Sequence, residues 1–394
     1  MTTGGPKVAL VTYSTKPRGG VAHTLAVGEA LHALGAEVVV VGLGDRHAGF
    51  YRSAAVPTRI VPSPVVSGGL EEKVAANIDA LEAALVEIAH DHPLLHAQDC
   101  IAARAAARVR DAGADVVVLR TVHHVDDFDS ATLMDCQRRA ILEPDHVFVV
   151  SETWRRILRD EYATDTALVR NGVDVARYSR QHSRSTIDRL RARVGATDRP
   201  LVLAVGGIEP RKGSDTLVQA MSRLAHARTP PPVLAVVGGH SFQDHRAYRE
   251  RVLASLEPLG LELGVDVVRV GTVPEGEMEA WYAAADVLAF PSVKEGFGLA
   301  ALEAMCAGLP VVTSDLPVFR EWLEPGRDAL VAPIGDARAL ADALATVLDD
   351  HEVRTRLTTA GRRLADRWSW EVSARGHLEH YAAVGQVSAS LARG

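Results

Sequence analysis

Short apolar runs alternate with helix-like segments along this chain, and no other feature limits its possible folds as strongly. Val8–Tyr13 has the continuous apolar character of a parallel strand that is buried on both faces. A break at Lys16–Gly20 follows it, and Val21–Leu34 then carries apolar residues at helical spacing up to a capping glycine, Gly35. Glu37–Leu43 is the next predicted strand. Together these segments predict one strand–helix–strand unit.

The alternation continues through the first half of the chain and restarts in the second half. It predicts a parallel sheet with helices on both faces, formed twice, so we expect an α/β protein with residues 1–175 in one domain and 176–368 in the other. In the first half, helices are predicted at Glu71–His90, Gln98–Ala112, Ser130–Leu142 and Glu152–Glu161, with strands at Asp115–Leu119 and His146–Val150. In the second half, strands are predicted at Leu201–Val205, Val233–Val237, Val267–Val270, Val287–Phe290 and Val311–Thr313.

Bulk properties agree with two globular domains and narrow the class of partners. A chain of 394 residues has room for two domains, and its formal net charge of −7 argues against a nucleic-acid partner held by bulk electrostatics. Cys100, Cys136 and Cys306 form no short pair, which indicates a reducing compartment. The apolar run at Val8–Val11 is too short for a signal peptide, and no apolar stretch is long enough to span a bilayer. We expect a soluble cytoplasmic protein.

An arginine-rich segment separates the two predicted domains. The strand–helix rhythm is lost over residues 171–199, and we interpret the front of this segment as a linker and the rest as a helix. The arginines could bind phosphate, but a solvated helix face is the favoured interpretation. They are Arg177, Arg180, Arg184, Arg189, Arg191, Arg193 and Arg199.

The segment from Phe290 to Pro310 is the most informative for function. A strand ends there, a loop with Gly296 and Gly298 turns, and a helix begins near Gly298. Glycines let a backbone approach a ligand closely, and a helix N-terminus offers unpaired N–H groups to an anion. Glu295 lies in the loop and Glu303 more than one turn inside the helix, so the two carboxylates would reach different parts of one bound molecule. Taken alone, Glu295 could also be a glutamate in an exposed loop, and Glu303 could be a glutamate on a solvated helix face.

This block, Pro-Ser-x-x-Glu-Gly-Phe-Gly followed by Glu-Ala-x-x-x-Gly-x-Pro, resembles the signature of retaining glycosyltransferases of family 4. The resemblance covers nearly the whole chain, including Gly19-Gly20, Asn171–Asp174 and Lys212-Gly213. It implies the GT-B fold, in which two Rossmann-like, doubly wound parallel-sheet domains face a central cleft. It also implies that the C-terminal helix, residues 369–394, crosses back to the first domain.

The resemblance further implies how a nucleotide-sugar donor would be bound. Glu295 would accept hydrogen bonds from hydroxyls of the donor sugar and Glu303 from the ribose, and carboxylates suit both tasks. The first-domain loop would lie against the donor diphosphate, and domain closure would complete the site. The remaining donor contacts would be largely to the backbone, so they do not reveal the base. They are Gly19 and Gly20 of the first domain and Gly239, Val273, Gly296, Phe297, Gly298 and Leu299 of the second.

A basic turn follows the first strand of the second domain. In the family a lysine at the position of Lys212 binds the donor diphosphate, and a cation fixed in a dry cleft is suited to stabilising that leaving group. The family usually carries a second cation, an arginine, where this sequence has Gly207. We expect Arg211 to substitute for it; the alternative is that Arg211 lies on a basic surface turn.

Histidines supply a further set of candidates. The family places a histidine beside the donor sugar in the loop after the strand near 115–119, and His123 is the favoured match, with His124 as the competing one. This pair could also bind a metal, but no third ligand lies at a convincing spacing. A second, metal-like group is interrupted by Pro93, and we interpret it as an exposed loop. Its members are His90, His92 and His96.

Together with these residues, the resemblance implies a retaining, metal-independent glycosyltransferase that requires no cofactor and uses front-face substitution. The donor is a nucleotide-diphosphate sugar, with a UDP-sugar favoured over a GDP-sugar, and the acceptor is a small molecule, a glycan or a lipid-linked compound. Three alternatives remain open: a glycoside hydrolase that uses Glu295 and Glu303 as its carboxylate pair, a sugar-nucleotide epimerase of the same architecture, and a non-catalytic nucleotide-sugar-binding subunit.

Overall fold

The computed structural model describes residues 5–239, 243–274 and 276–391. The chain divides into two compact units, residues 1–172 with 370–394 and residues 173–369. Among the helices in these described ranges, none is long and apolar enough to cross a membrane.

The first unit contains a seven-stranded sheet whose paired strands are all parallel, in the order β3-β2-β1-β4-β5-β6-β7. The order reverses between β1 and β4, as in doubly wound folds, where ligands bind at the strand C-termini near such a reversal. Its elements are β1 (Lys7–Thr12), α1 (Gly19–Ala33), β2 (Glu37–Gly44), β3 (Thr58–Pro62), α2 (Leu70–Ala89), β4 (Leu94–Ala97), α3 (Cys100–Asp111), β5 (Val117–Val122), α4 (Ala131–Leu142), β6 (His146–Val149), α5 (Glu152–Tyr162), β7 (Ala167–Leu168) and, from the end of the chain, α15 (Trp370–Leu391).

The second unit contains a parallel six-stranded sheet in the order β10-β9-β8-β11-β12-β13. The two sheets confirm the predicted α/β class with two parallel-sheet domains. The elements of this unit are α6 (Val175–Tyr178), α7 (Arg184–Arg193), β8 (Leu201–Val205), a 3-10 turn (Pro210–Lys212), α8 (Ser214–Ala227), β9 (Val233–Val237), α9 (Arg246–Ala254), β10 (Val267–Gly271), α10 (Glu277–Ala284), β11 (Val287–Phe290), α11 (Leu299–Ala307), β12 (Val311–Ser314), α12 (Pro317–Arg320), β13 (Leu330–Ala332), α13 (Ala337–Asp349) and α14 (His351–Ala365).

The prediction of an exposed loop at His90–His96 was wrong for His96. This residue lies on β4, next to the central strand β1, and is fully buried. Its ring nitrogens lie 2.6 Å from the Tyr381 hydroxyl and 2.8 Å from the Thr121 hydroxyl. Burial with two hydrogen-bonding partners makes it a core residue, which is how buried polar groups are usually accommodated.

The interpretation of the arginine-rich segment as a solvated face was wrong for three of its members. Arg177 pairs with the buried Glu279 and is about one-quarter exposed. Arg191 donates to the carbonyl of Ala284 at 2.7 Å, and Arg199 forms an ion pair with Asp266 at 2.6 Å. Both side chains are about one-fifth exposed. Arg191 therefore fastens α7 to the end of α10, and Arg199 fastens the segment before β8 to the residue before β10.

Three histidines lie in the core of the first unit between the sheet and α15. His23, His96 and His377 are each at most 1% exposed. The His377 ring centroid lies 5.5 Å from that of His96 and 6.3 Å from that of His23. Burial lowers the pKa of His23 and His96 well below its usual value and lowers that of His377 to about 4, so all three are neutral at pH 7.

We expect the first unit to lose stability as the pH falls below about 6.5. Below that value the histidines bind protons in the unfolded chain but stay neutral in the folded protein. Each histidine then lowers the free energy of unfolding by up to ~1.4 kcal/mol per pH unit. Melting temperatures measured from pH 7.5 to 5 should fall, and His377→Gln should reduce the slope. His351→Gln, which removes an exposed histidine of the second unit, is the matched control. Equal slopes in all three proteins would contradict the assignment.

Candidate functional site

The loops that follow β8, β9 and β10 lie side by side in the second unit. A Cβ atom added to Gly207 would lie 2.6 Å from the Gly239 carbonyl oxygen, and one added to Gly239 would lie 2.7 Å from the Thr272 hydroxyl. Because all these strands are parallel, their C-terminal ends share one edge of the sheet. The structure thus gathers Gly239 and the loop carrying Val273 beside the basic turn after β8.

The basic turn is joined to the loop after β11. The amide of Val293 donates to the carbonyl of Arg211 at 2.8 Å, and the amide of Lys294 donates to the same oxygen at 3.3 Å. These backbone bonds hold the Pro210–Lys212 turn against the loop that carries Glu295. Residues more than 80 positions apart in sequence are therefore held in one place.

A buried ion pair links Lys212 and Glu295. The Lys212 Nζ lies 2.6 Å from Glu295 Oε1, which also accepts a hydrogen bond from the Ser292 hydroxyl at 2.8 Å. The two charged side chains are only 15% and 9% exposed. Burial alone would raise the pKa of Glu295, but the positive charges of Lys212 and Arg211 outweigh it and lower that pKa, so the carboxylate is ionised.

Arg211 approaches the same carboxylate from another direction. One guanidinium NH group lies 3.6 Å from Glu295 Oε1, and the Nε lies 3.3 Å from Glu209 Oε2. Arg211 is one-third exposed, whereas Glu209 is buried. Position 207, where the family usually carries its arginine, has no space for a side chain because the Gly239 backbone is too close. Arg211 is thus a second cation beside Glu295.

The predicted anion-binding turn, Gly296–Leu299, is rigidly supported. The carbonyl of Phe297 accepts a hydrogen bond from Trp322 Nε1 at 3.1 Å, and the two rings stack at 5.4 Å. Gly298 precedes α11 with φ of +97°, a conformation that favours glycine. The N-terminus of α11 consequently starts at a fixed place next to Glu295.

Glu303 lies in the second turn of α11 and is partly buried. Its Oε2 accepts a hydrogen bond from the Tyr282 hydroxyl at 2.8 Å, and burial raises the pKa of the carboxyl group. It is therefore not a glutamate on a solvated helix face.

The candidates of the first unit also gather at one sheet edge. His123 follows β5 directly, and its Nε2 lies 3.3 Å from Gln98 Oε1. A Cβ atom added to Gly20, which with Gly19 opens α1, would lie 3.9 Å from the His123 ring. Burial lowers the pKa of His123 to about 3, so the ring is neutral. His124 instead pairs with Asp126 at 3.4 Å.

Sequence reasoning missed three polar residues of this site. Ser292 and Glu209 contact Glu295 and Arg211, and both flank positions that the sequence had already singled out. Ser292 was visible in the Pro-Ser-x-x-Glu pattern. Tyr282 carried no such signal, because it lies 21 residues from Glu303 on a different helix.

The two parallel-sheet units define the class of protein, the GT-B fold, and solved structures support this. Sucrose-phosphate synthase from Thermosynechococcus elongatus matches with a TM-score of 0.80 and 24% identity, covering 97% of this chain and all of the other. HepE from Anabaena in complex with UDP-glucose matches with a TM-score of 0.77 and 20% identity, covering 96% of this chain and 99% of the other.

Two family models match the chain: Glycosyltransferase Family 4 over residues 17–177, and Glycosyl transferases group 1 over residues 186–364. One relative, the GDP-mannose-dependent alpha-(1-6)-phosphatidylinositol monomannoside mannosyltransferase of Mycolicibacterium smegmatis, is 31% identical over 66% of this chain and 68% of its own length. The chain belongs to the family 4-like glycosyltransferases with the GT-B fold.

Several relatives of higher identity match over a shorter part of their length. The D-inositol 3-phosphate glycosyltransferase of Nocardioides sp. is 36% identical over 54% of this chain and 47% of its own length. The chain thus spans about half of the first curated relatives that it matches, from 45% to 58% of their lengths.

Gly298→Ala should destabilise the second unit by more than a positive φ angle alone explains. The new Cβ would lie 2.5 Å from Phe319 Cε1, so the Phe319 ring or the turn must move. Gly276→Ala is the matched control, since Gly276 also precedes a helix at φ +79° but has open space around it. We expect ~1 kcal/mol of strain in the control and ~2–4 kcal/mol in Gly298→Ala, measured by urea unfolding. Equal losses would contradict the packing argument.

Proposed function

We propose that this protein transfers a sugar from a nucleotide-diphosphate sugar to an acceptor hydroxyl with retention at the anomeric carbon. The observation that carries the proposal is the buried Lys212–Glu295 pair flanked by Arg211, at the C-terminal edge of a parallel sheet. There an ionised carboxylate, which can accept hydrogen bonds from sugar hydroxyls, lies close to two cations. These are the groups needed to bind a sugar beside its phosphates.

Each part of the donor has a proposed partner in the second unit. The diphosphate is bound by Lys212, Arg211 and the N–H groups at the start of α11, since a helix N-terminus attracts anions. Glu295 accepts hydrogen bonds from the sugar hydroxyls, and Glu303 accepts them from the ribose. The base lies against the loops after β9 and β10. The remaining proposed contacts are to Gly239, Val273, Gly296, Phe297, Gly298 and Leu299.

The reaction then proceeds on one face of the sugar. The bond between the anomeric carbon and the phosphate oxygen breaks, and the acceptor oxygen bonds to that carbon from the same side. The acceptor proton passes to the departing phosphate oxygen, so the nucleoside diphosphate leaves with it. Lys212 and Arg211 stabilise the negative charge that develops on the phosphate, and preorganised charges are the strongest means of doing so.

In the first unit we propose that His123 contributes to binding of the donor sugar and that Gly19 and Gly20 contribute to binding of its diphosphate. The neutral His123 ring can exchange hydrogen bonds without adding charge near the reacting carbon. The family resemblance supports these roles. His123 is favoured over His124 because His124 is already paired with Asp126.

The names of relatives guide the choice of substrates. One relative is named as GDP-mannose-dependent, and HepE is described in complex with UDP-glucose, so UDP- and GDP-sugars are the donors to test first. Relatives are named for D-inositol 3-phosphate and for a phosphatidylinositol mannoside. We therefore propose an inositol-containing acceptor, either a small phosphate or a lipid. Three free thiols support a cytoplasmic location.

Glu295→Ala should abolish most sugar transfer while leaving binding of the free nucleoside diphosphate nearly unchanged. Losing a hydrogen bond to a charged group costs ~1.5–3 kcal/mol, or roughly 10- to 200-fold in rate. Turnover is measured as nucleoside-diphosphate release from UDP- and GDP-sugars with inositol acceptors, and binding is measured by calorimetry. The exposed Glu257→Ala is the control.

Two outcomes of this assay would contradict the proposal. Equal losses of turnover and nucleotide binding in Glu295→Ala would place the carboxylate at the nucleotide instead of the sugar. Turnover that disappears in saturating EDTA and returns with magnesium or manganese would show that the cations of the turn do not suffice for the diphosphate.

Arg211→Ala should lower turnover by raising its activation free energy by ~2 kcal/mol or more. This is comparable to the loss of a preorganised donor at a developing charge. Its effect should be smaller in a Lys212→Ala background, because both cations would stabilise the same phosphates. A kinetic double-mutant cycle measures this coupling, with the exposed Arg223→Ala as control. Near wild-type turnover for Arg211→Ala would mean that another cation replaces the arginine missing at Gly207.

A further inference from the structure

Two tyrosines from other elements of the second unit hold the carboxylate of Glu303. Tyr282 on α10 donates to Glu303 Oε2 at 2.8 Å, and Tyr178 on α6 forms a second side-chain hydrogen bond to the same group. The Tyr282 side chain is fully buried, and its ring centroid lies 5.8 Å from that of Tyr178. The carboxylate therefore has a fixed direction before any ligand binds.

The Val173-Asp174 part of the Asn-Gly-Val-Asp motif explains how Tyr178 reaches this place. The Asp174 side chain caps α6 by accepting from the Arg177 amide at 3.0 Å. The Val173 amide donates to the Trp368 carbonyl at 2.9 Å, which anchors the segment ahead of the helix. A four-residue helix needs such support because it has few hydrogen bonds of its own. The motif thus places the last residue of α6 against α11.

Neighbouring ionisable groups determine the electrostatic environment of Glu303. Arg177 donates to the buried carboxylate of Glu279, and its positive charge also acts on Glu303. Burial raises the pKa of Tyr282 well above its usual value, so the phenol is protonated and donates to Glu303. The Glu303 carboxyl group has about four acceptor positions when it is ionised, so it can accept further hydrogen bonds besides those from the two phenols.

We propose that Tyr282, together with Tyr178, is a positioning residue that orients the Glu303 carboxylate toward the ribose hydroxyls of the donor nucleotide. The inference rests on the proposed function, which assigns Glu303 to the ribose. Neighbouring 2′ and 3′ hydroxyls can both donate to one oriented carboxylate, so its direction determines how strongly a ribose is preferred over a sugar without them. Tyr282 and Tyr178 thereby act on donor affinity and ribose selectivity, while the sugar-transfer step depends on other residues.

The test compares the binding of UDP and GDP with that of their 2′,3′-dideoxy analogues by calorimetry. The wild-type protein should prefer the ribose form of whichever nucleotide it binds. Tyr282→Phe should reduce this preference about ten-fold, as expected when a hydrogen bond that orients a charged group is lost. KM for the donor should rise, while kcat at saturating donor should change less than about two-fold. Tyr248→Phe is the matched control, because Tyr248 also donates to a carboxylate, that of Asp215, at 3.0 Å.

The possible outcomes distinguish a failure of this inference from a failure of the proposed function. An unchanged preference in a folded Tyr282→Phe protein overturns the inference, and so does an equal loss for both nucleotide forms, which a merely structural contact would cause. Tyr178→Phe provides an independent second variant and should shift the preference in the same direction. A wild-type protein that binds neither UDP nor GDP overturns the proposed function, and the inference with it. If the wild-type protein prefers the ribose form and both tyrosine variants prefer it to the same degree, only the inference is overturned.

Discussion

Parallel strand pairing is the constraint on which the rest of this structure depends. A parallel sheet needs a crossover after each strand, so helices cover both faces and the strands become buried throughout. All strand C-termini then lie along one edge, and the loops leaving them are the positions free to vary. In each unit the candidate residues lie at this edge: His123 after β5, Lys212 after β8 and Glu295 after β11.

At that edge of the second unit, charge balance organises the side chains. Lys212 and Arg211 face Glu295 and Glu209, so two cations meet two carboxylates before any ligand binds. Burying such groups is costly unless they are paired and hydrogen-bonded. Mutual pairing therefore keeps the cations in place in the free protein. A diphosphate would then compete with Glu295 for cations that are already oriented.

The sequence allowed prediction of the fold class and of the glycine-containing loops at the strand ends, because long apolar runs and glycine turns are local signals. It did not allow prediction of β4, since four residues next to Pro93 are too few to show a period, and His96 gives that strand a polar appearance. Arg191 and Arg199 bind carbonyls and carboxylates that lie far away in sequence. Pairs such as Tyr282 and Glu303 depend on how helices pack, and one sequence contains no signal for that.

The departure from the family pattern at Gly207 has a steric explanation that also connects it to Arg211. The loops after β8 and β9 approach so closely that the Gly239 carbonyl occupies the space of a side chain at 207. A cation for the same region must then come from another direction, and the 3-10 turn at Pro210–Lys212 provides one beside Lys212. The buried Glu209 directly precedes this turn, and its Oε2 lies 3.3 Å from the Arg211 Nε. Under the proposed function, Arg211 supplies the charge that the family's arginine usually supplies.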